Sequence, residues 1–466
     1  MQFSPTTTLV LRVLYGAAGV GILRFYWRAV AGKKSFASVG NIFVLLQTLF
    51  WIGTLLAVDF NRTDDVLWIS VLTGSMCLFA VGAARANAKK QFQPNQEIAK
   101  FAGAPLQYDL EEGHVPLLLW GMIALCLVLG IMYLRAVGYN VFVLSLLEYF
   151  RSGGFDPQEY IGLRTNISTD TYVASGYTAQ FICILMPVLV TLLYFKFRRS
   201  MTRWRMLLLT GLAVLNIYFL TITGGRGWFI YAAAGLVLLV SPFGPLPAIW
   251  PKVRFAALTL LMVLAAFYAL STLFMGRSSE YSEKEGTIGL ISGAAGEFYN
   301  RVVGDEAAGH LDLMRELMKE PVDWGNQWWR DVRDIVPAFR SDIASGVEMY
   351  AMAHNSDTTG SLGLKTWGSF LYNWGTLGTL VLAFWTGYVM QIFTISYVRG
   401  GRSLSRVVVL FYAGFRLALF RDPFSLLLDG FVTTLVLYFL LKLARGGPNR
   451  LDVQNAPLQG SHATSF

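Results

Sequence analysis

Residues 255–275 read FAALTLLMVLAAFYALSTLFM, and the chain then turns polar at 276–289, GRSSEYSEKEGTIG. An uncharged apolar run of this length is enough helix to cross a bilayer, because about 20 residues rising 1.5 Å each cover a hydrocarbon core of about 30 Å. Similar runs lie near 6–27, 39–58, 66–84, 115–133, 172–194, 206–223, 228–246, 370–397, 407–420 and 426–443. The pattern predicts an all-α polytopic membrane protein with about eleven transmembrane helices. The break in that pattern, from 276 to 366, is polar but carries Trp324, Trp328, Trp329 and apolar residues at helical spacing. A loop this long between spans is functional or disordered. The tryptophans and the helical spacing favour an ordered loop on one face of the membrane.

Composition agrees. The chain has 466 residues, 55% hydrophobic and 14% charged, which excludes a soluble globular protein. The net charge of +9 is explained by short basic loops, and no tract reads as a nucleic-acid binder, so no nucleic-acid partner is expected. Cys77, Cys126 and Cys183 fall inside apolar spans without paired spacing, and read as small core hydrophobes. The first apolar segment is too long for a signal peptide and lacks a small-residue cleavage site. It is interrupted by Arg12 and Arg24, so it either spans or lies on the surface.

Orientation follows from loop charge. RAVAGKK (28–34), RANAKK (85–90), KFRRSMTRWR (196–205), RGGRSLSR (399–406) and KLARGGPNR (442–450) fall on one side by helix parity, which makes that side cytoplasmic. DFNRTDD (59–65) and the 276–366 loop fall outside, with the N-terminus outside and the C-terminus inside. The chain then divides into N-terminal spans over 1–275 with an outer loop near 134–171, a large extracytoplasmic loop over 276–366, C-terminal spans over 367–445, and a polar tail over 446–466 that reads as disordered. Within the large loop, HLDLMRELMKEP (310–321) spaces Leu313, Met314, Leu317 and Met318 for an amphipathic helix against the membrane or over a cavity. NQWWRDVRDIVP (326–337) continues likewise, with Trp328 and Trp329 suited to the interface. No internal repeat is evident, which weighs against a repeat-built transporter.

Several outer residues suit anion chemistry. TGGRG (223–227) is a turn opening a span, where free backbone N–H groups, a positive dipole end and Arg226 could hold an anion. The alternative is a tight hairpin with a snorkelling arginine. Arg151 and Arg164 sit in the first large outer loop, where arginine is disfavoured unless it binds something. A phosphate or pyrophosphate is one partner; Glu148, Asp156, Glu159 or Asp170 is the other. RDVRDIVPAFR (330–340) offers Arg330, Arg333 and Arg340, with Pro337 breaking the helix and Asp331 and Asp334 available for pairing. For Arg330 a solvated charged face is the favoured reading. Arg421, in RDPF, faces either an anion or Asp422. His354, in AMAHNSDTTG (351–360), lies in a polar turn just before the chain returns to the membrane; it is either a general base for a hydroxyl or a loop histidine without a role. His310 opens a helix and reads as a capping or surface residue. The sequence has no HExxH, paired cysteines, outer DxD, GxSxG or phosphate-loop lysine motif, so neither metal nor cofactor is expected.

Taken together, TGGRG opening a span, the long late outer loop and GSLGLKTWGSFLYNWGTLG from Gly360 resemble O-antigen polymerases of the Wzy type, whose layout is shared by O-antigen ligases. FLYNWGTLG, Phe370 to Gly378, is similar to the family's aromatic-Asn-aromatic-Gly-x-x-Gly stretch, and Arg151 with Gly162 has the spacing of its arginine–glycine motif. That spacing does not recur after Arg340, where Ala351 stands eleven residues on. His354-Asn355 resembles the His-Asn element of the ligases, in which the histidine is thought to be catalytic.

The resemblance implies a GT-C-like glycosyltransferase fold in the bacterial inner membrane, with its active site facing the periplasm or cell exterior. It implies polymerisation of undecaprenyl-diphosphate-linked repeat units into O-antigen or exopolysaccharide, with a chain-length regulator and a flippase as possible partners. Arg226, Arg151 and Arg164 would then hold the pyrophosphate, with Arg333, Arg340 and Arg421 assisting and His354 as base. The alternatives are an O-antigen ligase or protein O-oligosaccharyltransferase, a lipid-linked oligosaccharide flippase or transporter, and a metal-dependent transferase using a monophosphate lipid. Asp64 and Asp65, in a very short loop, argue against the last.

The charge-derived orientation has a direct test. With native cysteines replaced, a membrane-impermeant maleimide applied to intact cells should label Glu320→Cys and not Ser200→Cys; the reverse pattern would invert the topology.

Overall fold

The computed structural model describes residues 4–32, 38–104, 117–140, 180–197, 200–222, 307–333 and 366–401, together with single positions between and beyond them. The expected spans at 228–246, 255–275 and 407–420, most of 426–443, and the tail lie outside the described residues. Those described form ten α-helices and no strand, with one isolated bridge between Gln107 and Ser403. They are α1 (Pro5–Tyr26), α2 (Val39–Ala57), α3 (Thr63–Lys89), α4 (Pro94–Gly103), α5 (Leu117–Val137), α6 (Met186–Phe197), α7 (Arg203–Leu220), α8 (Gly309–Leu317), α9 (Asn326–Arg333) and α10 (Thr366–Arg399). A π-helical turn, Trp27–Ala31, extends α1, and another, Gln180–Leu185, leads into α6. Six helices among the described residues are long and apolar enough to cross a membrane: α1 with its extension, α2, α3, α5, α7 and α10. The protein is thus an all-α membrane protein. "Outer" and "inner" below mean the ends assigned by loop charge.

Local sequence sets the helix ends. Ser4 caps α1 by accepting from the Thr7 N–H at 3.2 Å, with Pro5 at the first helical position. Ser38 and Thr202 cap α2 and α7 in the same way. Asp64 and Asp65 stand in the first turn of α3, where carboxylates complement the helix dipole. α1 is a single helix despite Arg12, because the guanidinium donates to the Val58 carbonyl at 3.3 Å, just past the end of α2. Its Leu9, Val13 and Val20 face outward, as lipid contact requires.

The helices pack in two groups. In the first, α1, α2, α3, α8 and α10 share a core containing Phe43, Trp68, Leu72, Phe79, Met314 and Trp367. In the second, α5, α6 and α7 pack through Cys126, Met186, Leu189, Leu193 and Leu209. Cys183 joins a further cluster at the outer end, with Tyr133 and Phe219. Cys77, however, is exposed on α3, which corrects its reading as a core residue. Tyr397, near the inner end of α10, touches both groups.

The closest contact is between α3 and α10, which run in the same direction. A methyl group on Gly82 would strike the Phe384 carbonyl, and one on Gly387 would strike the Phe79 carbonyl. Small residues let two backbones approach this closely in lipid, where dispersion rather than hydrophobicity drives association. Toward the inner end, the Gln391 amide donates to Asn87 at 2.7 Å, and Asn87 donates to the Ala29 carbonyl at 2.9 Å. Arg399 then reaches Glu97 on α4 at 2.8 and 3.0 Å, and this bond holds the Glu97 carboxyl below its ordinary range.

Gly387→Ala should therefore force α3 and α10 apart at backbone level. The expected loss is about 1–3 kcal/mol, the range for overpacking, read as a lower melting temperature of the detergent-solubilised protein. A wild-type melt would show that the two helices separate without cost.

Candidate functional site at the outer border

The outer ends of α3 and α10 carry a platform, and α8 and α9 from the long loop sit on it. The interaction that seats α8 is ionic. Asp65 is fully buried in the first turn of α3. Arg315 donates to both of its oxygens, Nε to Oδ1 and Nη2 to Oδ2, each at 2.7 Å. This two-point geometry is the strong form of a guanidinium–carboxylate pair. Asp65 Oδ2 also accepts from the Asp59 N–H at 2.8 Å, which ties down the loop between α2 and α3. Arg315 Nη1 bonds Asp312 at 2.5 Å. Flanked by these two carboxylates, the guanidinium is held more firmly protonated than usual. With all three nitrogens engaged, Arg315 is a structural arginine and not a free phosphate binder. Nearby, hydrogen bonds from Asn61 hold Asp59 below the usual carboxylate range.

Apolar contacts complete the seat. Leu311, Leu313, Met314 and Leu317 of α8 are buried in the first core. His310 is buried too, at 1% exposure, which corrects its reading as a surface residue. Its ring packs edge-on to Phe50 at 5.1 Å and tilted against Trp68 at 5.6 Å. Gly368 of α10 makes room for it, since a Cβ there would lie 2.6 Å from Nε2.

The FLYNWGTLG stretch is the receptor for α9. The Tyr372 carbonyl accepts from the Asp323 N–H at 3.1 Å. Asn373, fully buried, donates to Gln327 at 2.9 Å and to the Ser369 carbonyl at 2.8 Å. Trp328 donates to the Ser369 hydroxyl at 2.8 Å and stacks edge-on with Phe370 and Trp374. Trp329 is 70% exposed, as an interfacial residue would be, whereas Trp328 is half-buried. Gly375 kinks α10 with φ 64, a dihedral few side chains tolerate, and the Asp323–Asn326 turn fits beside it. Arg330 is half-buried rather than on a fully solvated face.

Of the residues singled out for chemistry, Arg151 and Arg333 are described, both exposed, Arg151 at a helical position and Arg333 at the end of α9. Arg164, Arg226, Arg340, Arg421 and His354 lie outside the described residues. Sequence reading missed Asp65 and Arg315 as partners. The available signal was Arg315 standing in register with Leu311, Met314 and Met318, on the face of α8 that should be apolar.

No protein-family model, curated protein or solved structure matches the chain.

Arg315→Met would leave Asp65 as a buried carboxylate without its cation, and should cost on the order of 3–5 kcal/mol of stability. Adding Asp65→Asn should restore part of that loss, because coupled partners are non-additive. Thermal unfolding of the four proteins in detergent measures the coupling; strictly additive losses would dissolve the pair's role.

Proposed function

We propose that the chain is a Wzy-type polymerase: a GT-C-like glycosyltransferase with about eleven spans that elongates undecaprenyl-diphosphate-linked glycans at the outer face of the bacterial inner membrane. One observation carries the reading from the structural side. The chain from 334 to 365, which includes Arg340 and His354, leaves from α9 and returns at α10, and both helices belong to one packed platform. Its two ends are therefore held at the outer border, where a lipid-linked substrate would present its diphosphate.

The chemistry needs two things. Negative charge grows on the leaving diphosphate as the glycosyl bond breaks, and preorganised guanidinium groups stabilise it. Arg226, Arg151 and Arg164 are the proposed ligands, with Arg333, Arg340 and Arg421 assisting. The acceptor hydroxyl must lose a proton, and His354 is the proposed base.

The reading is tested with purified protein in liposomes supplied with lipid-diphosphate repeat units. Ladders of polymer are expected, and they should persist after chelation of divalent metals. His354→Ala should slow the reaction about 10²–10⁴-fold. The wild-type rate should fall in acid, because only the neutral imidazole accepts a proton. Arg226→Ala should cost about 2–4 kcal/mol of transition-state stabilisation, and Arg226→Lys should also be impaired, because lysine lacks the bidentate fork. Transfer to lipid A core or pilin without ladders would make the protein a ligase. Movement of the glycan across the membrane without transfer would make it a flippase.

A further inference from the structure

We infer that the inner ends of α3 and α10 form a binding groove for the phosphate headgroup of an anionic lipid in the cytoplasmic leaflet. The groove is a cavity of about 440 Å³ lined by Arg85, Ala88 and Lys89 of α3 and by Phe384, Trp385 and Tyr388 of α10. It lies far from the outer platform and is independent of the reaction proposed there.

Its depth follows from α3. Asp65 marks the outer border, and Arg85 stands twenty residues further along the same helix. At 1.5 Å per residue that is about 30 Å, the thickness of the hydrocarbon core. Arg85 therefore sits at headgroup level on the opposite side. Trp385 and Tyr388 belong at the same level, where aromatic rings gather, and Trp385 is 53% exposed.

Charge points to an anion. Arg85 and Lys89 are both exposed and four residues apart, so they share one face of α3 and repel each other. Neither is ion-paired with a carboxylate among the described residues. The contrast with Arg399, one layer further in, is direct: Glu97 neutralises it. The Lys89 ammonium lies 5.9 Å from the centre of the Tyr388 ring, which leans the cation over the groove wall. A phosphate between the two cations would relieve their repulsion, and its acyl chains would run along the apolar faces of Phe384 and Trp385. Basic pockets between helices at the cytoplasmic side suit such headgroups.

The test is native mass spectrometry of the detergent-purified full chain with added phosphatidylglycerol, cardiolipin or phosphatidylcholine. Retention of the anionic lipids but not phosphatidylcholine is expected. Arg85→Gln with Lys89→Gln should lower that retention at least tenfold, while Lys90→Gln, next to the groove but outside its lining, should leave it unchanged. All these side chains are exposed, so the fold should tolerate the changes, as a melting curve will show. If the double variant melts early, Trp385→Leu, which keeps both charges, should still weaken lipid retention. Equal retention in the groove variants and wild type would overturn the proposal, as would an equal loss in Lys90→Gln. Displacement of the lipid by millimolar inorganic phosphate would also overturn it, by making the site one for a soluble anion.

Discussion

The outer half of this molecule depends on one bidentate ion pair, Asp65 with Arg315, joining residues 250 positions apart in sequence. A helix of nine residues such as α8 has too few internal hydrogen bonds to persist alone. It needs a docking face, and apolar burial by Leu311, Met314 and Leu317 supplies most of the attraction. Apolar contacts are tolerant of sliding, however, whereas a guanidinium meeting both oxygens of a carboxylate fixes register and angle. Asp65 is itself held by the Asp59 backbone and by its place in the first turn of α3. The pair thus refers the long loop to the first turn of α3.

That helix is in turn braced by α10. Gly82 and Gly387 bring the two backbones into contact near the inner third, and the Asn87–Gln391 bond locks the same interface in a low-dielectric setting where an amide bond has no water to compete with it. Because α3 and α10 run in parallel, their outer ends lie side by side. α8 docks on one through Asp65, and α9 docks on the other through Asn373 and Ser369. The two-helix spine therefore presents adjoining seats for two short helices.

The six spans seen among the described residues were legible because lipid imposes length and apolarity, and both are local properties of sequence. The readings at 39–58 and 370–397 lie within a few residues of α2 and α10, and the two amphipathic helices were also visible as 3.6-residue periodicity. What the sequence concealed was pairwise. Asp65 looks like an ordinary loop carboxylate until Arg315 is set beside it, and His310 looks like a helix-opening surface residue until Gly368 makes space for its ring. Local sequence can mark Arg315 as out of place on its helix face, but it names neither partner, since each relation joins segments tens to hundreds of residues apart. The FLYNWGTLG stretch shows the same limit. Its aromatics and asparagine stand out in sequence, but only the fold shows that Asn373, Ser369 and Tyr372 grip α9.

The arginines make the final distinction. Arg315 is consumed by Asp65 and Asp312, Arg399 by Glu97, and Arg12 by the carbonyls that end α2. Each is a guanidinium already engaged by its neighbours, and the two neutralised by carboxylates, Arg315 and Arg399, have nothing to offer a diphosphate. Arg85 has no such neighbour among the described residues, and it borders a groove at headgroup depth. Residue type and depth in the membrane are therefore insufficient to mark an anion site. The deciding variable is whether a carboxylate or a row of carbonyls lies within reach, which turns the same side chain from a ligand-seeking cation into a fastener.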